Sequence, residues 1–225
     1  MIREIDGSPL DPEVWGAKAA ALAKLAAACL PVPPALCFRP GALNGQGGDR
    51  ILGLWLARHP AASYVLRSSS LIEDLDDTAG AGISTTLIAL PGDAAHLRSL
   101  VQGQLEPSLC GTGSLILQVQ ADCLYAGVAF VDDGTVSIEA SHRSVTAITS
   151  GEPPEVTAVA TAAQLSIRMT RDQAAQPVIE VLRQVIGCAI KAANIFGGRA
   201  DVEWVHSGVA CQVVQARPLT QKAVA

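Results

Sequence analysis

Aromatic side chains are scarce in this chain of 225 residues: 3 Trp, 2 Tyr and 3 Phe, or 4%. A core must therefore be packed with small aliphatic side chains, and alanine-rich helices can approach other elements closely. Charge is sparse too, at 16% Asp, Glu, Lys and Arg, with a formal net charge of −5. No block of Lys or Arg occurs, which argues against a broad nucleic-acid surface. Any anion must be held locally, by a few basic side chains and backbone N–H groups. None of the six cysteines (Cys29, Cys37, Cys110, Cys123, Cys188 and Cys211) forms a C-x-x-C pair, and none has a His at ligand spacing. Buried free thiols in a reducing compartment are the expectation. The N-terminus, Met1 to Asp6, is charged and lacks the apolar run of a signal peptide. The most apolar stretch, residues 19–28, contains Lys24 and is too short to cross a bilayer. A cytoplasmic protein with neither membrane nor nucleic acid as partner is expected. What the chain does have is 49% apolar residues, ample for one large domain or two joined lobes.

The first half reads as mixed. Residues 15–29 have helical spacing of Leu22, Leu25 and Ala26, and Pro31, Pro33 and Pro34 end that helix. Residues 35–38 follow as a short strand, 40–48 as turns, 51–58 as a short helix and 63–68 as a strand. Residues 69–82 form a polar, then glycine-containing, loop. Residues 93–105 read as a helix with Asp93 favouring its N-terminus. The second half turns to β-type runs at 114–120, 126–131, 136–140 and 145–149, with Asp132-Asp133-Gly134 as a hairpin turn. Residues 171–196 form a long helix, and 200–205 with 209–215 a closing hairpin. The class is α/β or α+β with a mainly antiparallel second lobe.

Four segments have residues suited to chemistry. Gly16-Ala17-Lys18 opens the first helix, where N–H groups and a mobile cation can face an anion; a solvated helix lysine is the plain alternative. Arg67 ends an apolar strand in Leu66-Arg67-Ser68-Ser69-Ser70, where a guanidinium can grip phosphate oxygens bidentately. Glu73 and Asp74 follow as a buttress, and an ordinary ion pair with Asp74 is the alternative. Thr78 to Thr86 supplies Gly80 and Gly82 beside hydroxyls, either as a phosphate-covering loop or as plain surface. Asp201 and Glu203 alternate on one face of a strand, and Gln215 and Arg217 lie near the end of its partner. Two carboxylates and an amide oxygen suit Mg²⁺ or Mn²⁺ completed by phosphate and water, or else a solvated acidic edge.

In order along the chain, these segments resemble the nucleotide-binding domain of phosphoenolpyruvate synthase, pyruvate phosphate dikinase and rifampin phosphotransferase. The similar stretches are Gly16 to Phe38, Tyr64 to Thr86, Leu115 to Phe130, Ile138-Glu139-Ala140-Ser141 with Ser150-Gly151, and Phe196 to Thr220. The resemblance implies an ATP-grasp fold of two lobes, 1–112 and 113–225, with the nucleotide cleft between them. It implies that Lys18 and Arg67 contact ATP phosphates, that Gly80 and Gly82 cover them, and that Gln118, Val119, Gln120 and Ala121 pass the adenine. Glu203 and Gln215 match the metal ligands, Asp201 the acidic residue beside them, and Arg217 a phosphate contact or strut. ATP with Mg²⁺ or Mn²⁺ is thus the implied cofactor pair.

The chain departs from the pattern at Ala79 to Ile83, which lacks the family's aromatic and glutamine, and at His142 to Thr146, which lacks two glycines and a carboxylate. His59, His96, His142 and His206 lie in no recognisable carrier motif. The expected activity is phosphoryl transfer from MgATP to a separate acceptor, a histidine on a partner swivelling domain. The alternatives are a stand-alone small-molecule kinase or ligase and a degenerate, non-catalytic ATP-binding protein.

Overall fold

The computed structural model describes residues 1–71, 86–105, 113–142, 145–169 and 175–219. The chain divides into two units, one of residues 1–27 and 33–120 and one of residues 28–32 and 121–225.

The first unit is built on a five-stranded antiparallel sheet in the order β1-β2-β5-β3-β4. Its strands are β1 (Ile2–Glu4), β2 (Ala35–Phe38), β3 (Tyr64–Ser69), β4 (Thr86–Leu90) and β5 (Ser114–Val119). Register sends alternate residues to opposite faces. Leu36, Leu117 and Leu66 are cross-strand partners on one face. That face joins Leu52, Trp55 and Leu56 of α3 (Gln46–Arg58) and Leu97 of α4 (Ala94–Leu100) in one apolar core. On the other face lie Cys37, Ile116 and Arg67, again in register.

Helix α1 (Pro12–Trp15) starts at Asp11, whose carboxylate accepts from the Glu13 N–H at 2.9 Å, with Pro12 in the first turn. Gly16, at φ +81°, separates it from α2 (Ala17–Ala27). Six residues of α2 are buried, four of them alanines from Ala19 to Ala23. A helix with so little side-chain bulk can lie close against its neighbours.

The second unit is a six-stranded antiparallel sheet in the order β11-β10-β6-β7-β8-β9. The strands are β6 (Tyr125–Asp132), β7 (Thr135–Ser141), β8 (Val156–Ala160), β9 (Leu165–Met169), β10 (Ala200–His206) and β11 (Cys211–Pro218). Val202, Ala129, Ile138 and Ala158 form one buried cross-strand row. Helix α6 (Ala175–Ile195) packs against β10, β11, β6 and β7. It presents Val178, Val181, Leu182, Val185, Ala189 and Ala192, all buried at helical spacing. The β6–β7 turn has Asp133 at φ +46° and Gly134 at φ +76°, the left-handed pair that the Asp-Gly sequence predicts.

Several expectations are corrected. The boundary falls after Gln120, not after residue 112, because β5 hydrogen-bonds between β2 and β3 of the first sheet. Residues 28–32 go with the second unit, where the Pro31 carbonyl accepts from the Val213 N–H at 2.8 Å. Residues 145–149 are a helix, α5 (Val145–Thr149), despite their β-branched content. Val145 packs on Ala126, Val205 and Val214, and Ile148, three residues on, is also buried. Burial at that spacing outweighs local propensity. Helix α3 begins at Gln46 rather than at residue 51, since Gly48 nests against Ala42 where a Cβ would lie 2.4 Å from its carbonyl oxygen. Residues 101–105 form a π-helical turn, Val101–Leu105, after α4. Strands β1, β4, β8 and β9 are found where the sequence reading placed no strand. Of the cysteines, Cys37 and Cys211 are buried, Cys188 is partly exposed, and Cys29 and Cys123 are exposed. Cys110 lies outside the described residues.

Two outcomes follow for stability. A Cβ added to Gly127 of β6 would lie 1.9 Å from the Glu139 carbonyl oxygen, a backbone atom of the paired strand. Gly127→Ala should lower stability by about 2 kcal/mol or more, read as a lowered denaturation midpoint. At the end of β10, His206 accepts the Gly208 N–H on Nδ1 at 2.9 Å, so its proton sits on Nε2, 3.2 Å from Gln184 Oε1. Burial pushes this imidazole below its ordinary pKa, with Glu180 opposing in part. The folded state therefore prefers the neutral ring. Its contribution should be complete above the unfolded value of about 6.5 and be lost as pH falls from there towards the folded value. Thermal melts between about pH 7.5 and 5 should fall more steeply for the native chain than for His206→Gln.

Candidate functional site

In the first unit, the chain turn at Gly16 docks on the end of β3. The Ser69 hydroxyl accepts from the Ala19 N–H at 3.1 Å, and the Ser70 carbonyl lies 3.4 Å from the Ala17 nitrogen. The Ser114 hydroxyl of β5 donates to the Trp15 carbonyl. These bonds flank Lys18 on both sides and set the start of α2 beside the strand that carries Arg67. Gly16 is required here twice: its φ is positive, and a Cβ would fall 2.2 Å from the Ser69 carbonyl oxygen.

Arg67 is 9% exposed, and Ser68, Ser69 and Ser70 beyond it are buried. Arg67 makes a further polar or electrostatic contact. Gln118 lies on the same face, two residues along β5 from Ile116, the partner of Arg67. It is 1% exposed, with its Nε2 unbonded among the described residues. The structure thus brings Lys18, Arg67 and Gln118 onto elements of one unit. Glu73, Asp74, Gly80 and Gly82 lie outside the described residues.

At the end of β5 two backbone donors are already committed. The Val119 N–H donates to the Pro34 carbonyl at 2.9 Å, and the Gln120 N–H to the Ser63 carbonyl at 3.1 Å. The Gln120 side chain accepts from the Ser63 hydroxyl and the Ala89 N–H. Neither N–H is therefore available to the edge of a base. Ala121 begins the second unit.

In the second unit the hairpin β10–β11 carries the expected oxygen ligands. Glu203 is the cross-strand partner of Gln215, and Asp201 of Arg217. Strand alternation puts Asp201 and Glu203 on the face opposite Val202 and Trp204, which are buried. A register shift follows Glu203, where β11 inserts Val214 between the partners of Glu203 and Trp204. Bulges of this kind re-aim neighbouring side chains. Arg217 Nε donates to Asp201 Oδ2 at 3.0 Å, so Arg217 acts as a strut on this hairpin. The other oxygen, Oδ1, is buried with no hydrogen bond among the described residues.

The row through Glu203 continues across Val128 to Glu139 of β7, a further carboxylate on that face, which the motif reading quoted without giving it a role. Strand register was the signal that could have found it.

Among the described residues no group of three or more His, Cys, Asp or Glu side chains is gathered for a metal. Two carboxylates and an amide oxygen remain, one carboxylate oxygen being buried and unsatisfied. That donor set fits Mg²⁺, which takes few protein ligands and keeps waters and phosphate oxygens.

The fold is ATP-grasp, of α+β class. Solved structures of like fold are the D-alanine–D-alanine ligase of Coxiella burnetii (TM-score 0.51, 13% identity, 89% of this chain and 47% of that one) and its Bacillus anthracis counterpart complexed with ATP (0.51, 12%, 92% and 57%). The VanG D-Ala:D-Ser ligase of Enterococcus faecalis is a third (0.51, 11%, 89% and 51%). A curated protein with sequence similarity is the prodigiosin synthesizing transferase PigC of Serratia marcescens, 26% identical over 99% of this chain and 33% of that protein. The chain thus spans a third of that relative and about half of the ligases. No family model matches the sequence. Membership of the phosphoenolpyruvate synthase and pyruvate phosphate dikinase family finds no support in these matches beyond the ATP-grasp fold. Among the described residues, no helix is long and apolar enough to cross a membrane.

Gly16→Ala tests the turn that sets α2. It should destabilise the chain by about 2 kcal/mol or more, through strain at positive φ and the clash with Ser69. Ser69→Ala, which removes one hydrogen bond, should cost about 1 kcal/mol. Denaturant midpoints of the two variants give the comparison.

Proposed function

We propose that this chain binds MgATP and uses it to activate an acceptor, as an ATP-dependent ligase or synthetase does. The observation that carries the reading is the β10–β11 hairpin, with Glu203 paired to Gln215 at a bulge and Asp201 braced by Arg217. Oxygen ligands in that arrangement suit a divalent cation that travels with phosphate. The ATP-grasp fold supports the nucleotide, and the ligase names of the like-fold structures favour direct activation of a small molecule over relay through a protein.

Roles follow from the chemistry of each group. The ammonium of Lys18 and the guanidinium of Arg67 neutralise phosphate oxygens, Arg67 from a buried position within β3 where its charge is poorly screened. Glu203 and Gln215 hold the metal, which supplies Lewis-acid stabilisation of charge on the transferring group. Asp201, fixed by Arg217, orients the ligand set. Residues Gln118 to Ala121 pass the base. With the Val119 and Gln120 N–H groups committed, the Gln118 side chain offers a buried donor, Nε2, with no hydrogen bond among the described residues. No protein nucleophile is required: positioning and electrostatics carry the phosphoryl transfer.

A second reading is transfer to a histidine on a separate swivelling domain. It is favoured by the ordered resemblance of five segments to phosphoenolpyruvate synthase. ADP release that requires only a small carboxylate selects the first reading; a requirement for a partner protein selects the second.

The thermal test is direct. MgATP at about a hundredfold its Kd should stabilise the chain by about 2.7 kcal/mol, and ATP with excess chelator should not. Glu203→Ala should abolish the shift, while Lys18→Ala and Arg67→Ala should each weaken binding by about tenfold or more. An unchanged melting temperature of the native chain with MgATP would sink the proposal.

A further inference from the structure

We propose that Cys188 and Cys211 are a reactive and a resolving thiol that close reversibly into a disulfide between α6 and β11 on exposure to hydroperoxides. The site lies wholly within the second unit and does not depend on the nucleotide reading.

Two observations place the thiols together. Cys211 opens β11 as the cross-strand partner of His206, and the His206 ring meets Gln184 of α6 at 3.2 Å. Gln184 and Cys188 are one turn apart on the same face of α6. That face therefore meets the sheet at the position where Cys211 sits. In agreement, each thiol shifts the other's acidity.

Their exposures differ in a useful way. Cys188 is partly exposed, so a small oxidant can reach it, whereas Cys211 is 3% exposed and shielded. Lys191, one turn further along α6, adds positive charge on the side of Cys188. The Cys211 S–H, and then Lys191, hold the Cys188 thiol below the ordinary cysteine range, against the opposing effect of burial. Cys211 is pushed the other way, first by Cys188 and then by burial. Exposure and the nearby Lys191 make Cys188 the attacking thiol, and the shielded Cys211 the resolving one. The thiolate is the form that attacks peroxide. Burial pushes the Cys37 thiol up to about 12 and raises that of Cys123 as well.

The chemistry balances with the hydroperoxide as oxidant. The Cys188 thiolate attacks one peroxide oxygen, the O–O bond breaks, and hydroxide leaves (alkoxide from an organic hydroperoxide), giving a sulfenic acid. The Cys211 sulfur then attacks the Cys188 sulfur. The S–S bond forms as the S–O bond breaks, and the oxygen departs as water with the Cys211 proton. Overall one peroxide is reduced and two thiols are oxidised. The bond that forms, of about 2.05 Å, joins side chains that the strand register and the His206–Gln184 contact set on facing surfaces. The product fastens α6 to the strand that carries Gln215 and Arg217.

The test uses the full, reduced chain treated with hydrogen peroxide, then alkylated and peptide-mapped without reduction. The expected product is a linked peptide pair containing Cys188 and Cys211, which dithiothreitol restores to thiols. In Cys211→Ser, Cys188 sulfenic acid should persist and be trapped by dimedone. In Cys188→Ser, oxidation of Cys211 should slow by about tenfold or more. Cys211→Ala serves if the serine variant fails to fold. The proposal is overturned if both thiols of the native chain stay alkylatable after peroxide, or if Cys188 passes to sulfinic acid with no cross-link. It is equally overturned if Cys211 oxidises at the native rate without Cys188.

Discussion

The two-residue period of β10 is the constraint on which the second unit depends. Ala200, Val202 and Trp204 face α6 and are buried, so Asp201 and Glu203 must face the other way. A slip of one residue would bury two carboxylates and expose a tryptophan. The apolar demand of the α6 interface thereby fixes the orientation of the ligand-bearing face. Pairing with β11 then sets Gln215 against Glu203, and the extra residue at Val214 adjusts its aim. Packing and chemistry are opposite sides of one strand.

In the first unit the corresponding role falls to a close backbone approach. Gly16 lets the start of α2 settle on Ser69, and the Ser69 and Ser114 hydroxyls satisfy polar groups that a bulkier turn would strand. This tight contact sets α2, which carries Lys18, beside β3, which carries Arg67. The alanines of α2 serve the same end, since the scarcity of aromatic side chains is matched by elements that approach closely.

The sequence made the local signals plain where a single physical cause dominated. The Asp133-Gly134 turn, the prolines after α2 and the alternating carboxylates of β10 were legible because backbone geometry or strand period left little choice. The motif order also pointed to the ATP-grasp fold that the like-fold structures bear out, although the family suggested with it gains no such support. What escaped was set by tertiary contacts. Residues 145–149 have β-branched side chains yet form a helix, because Val145 and Ile148 are buried at helical spacing. Strand β5 joined the first unit because its hydrogen-bond partners, β2 and β3, lie far away in sequence. Cysteine spacing, too, gave no hint of the Cys188–Cys211 contact, which exists only once α6 lies across β11.

The outer strands of the second sheet bear on how the molecule behaves in a crowded solution. An uncovered strand margin offers unsatisfied amides to any neighbouring polypeptide and invites fibril-like growth. Here β9 alternates Leu165, Ile167 and Met169 with outward Ser166 and Arg168, and β11 ends on Arg217 and Pro218. A guanidinium resists being buried under an incoming chain, and a proline withholds the donor that chain would need. The ladder is in this way discouraged from continuing past its own borders.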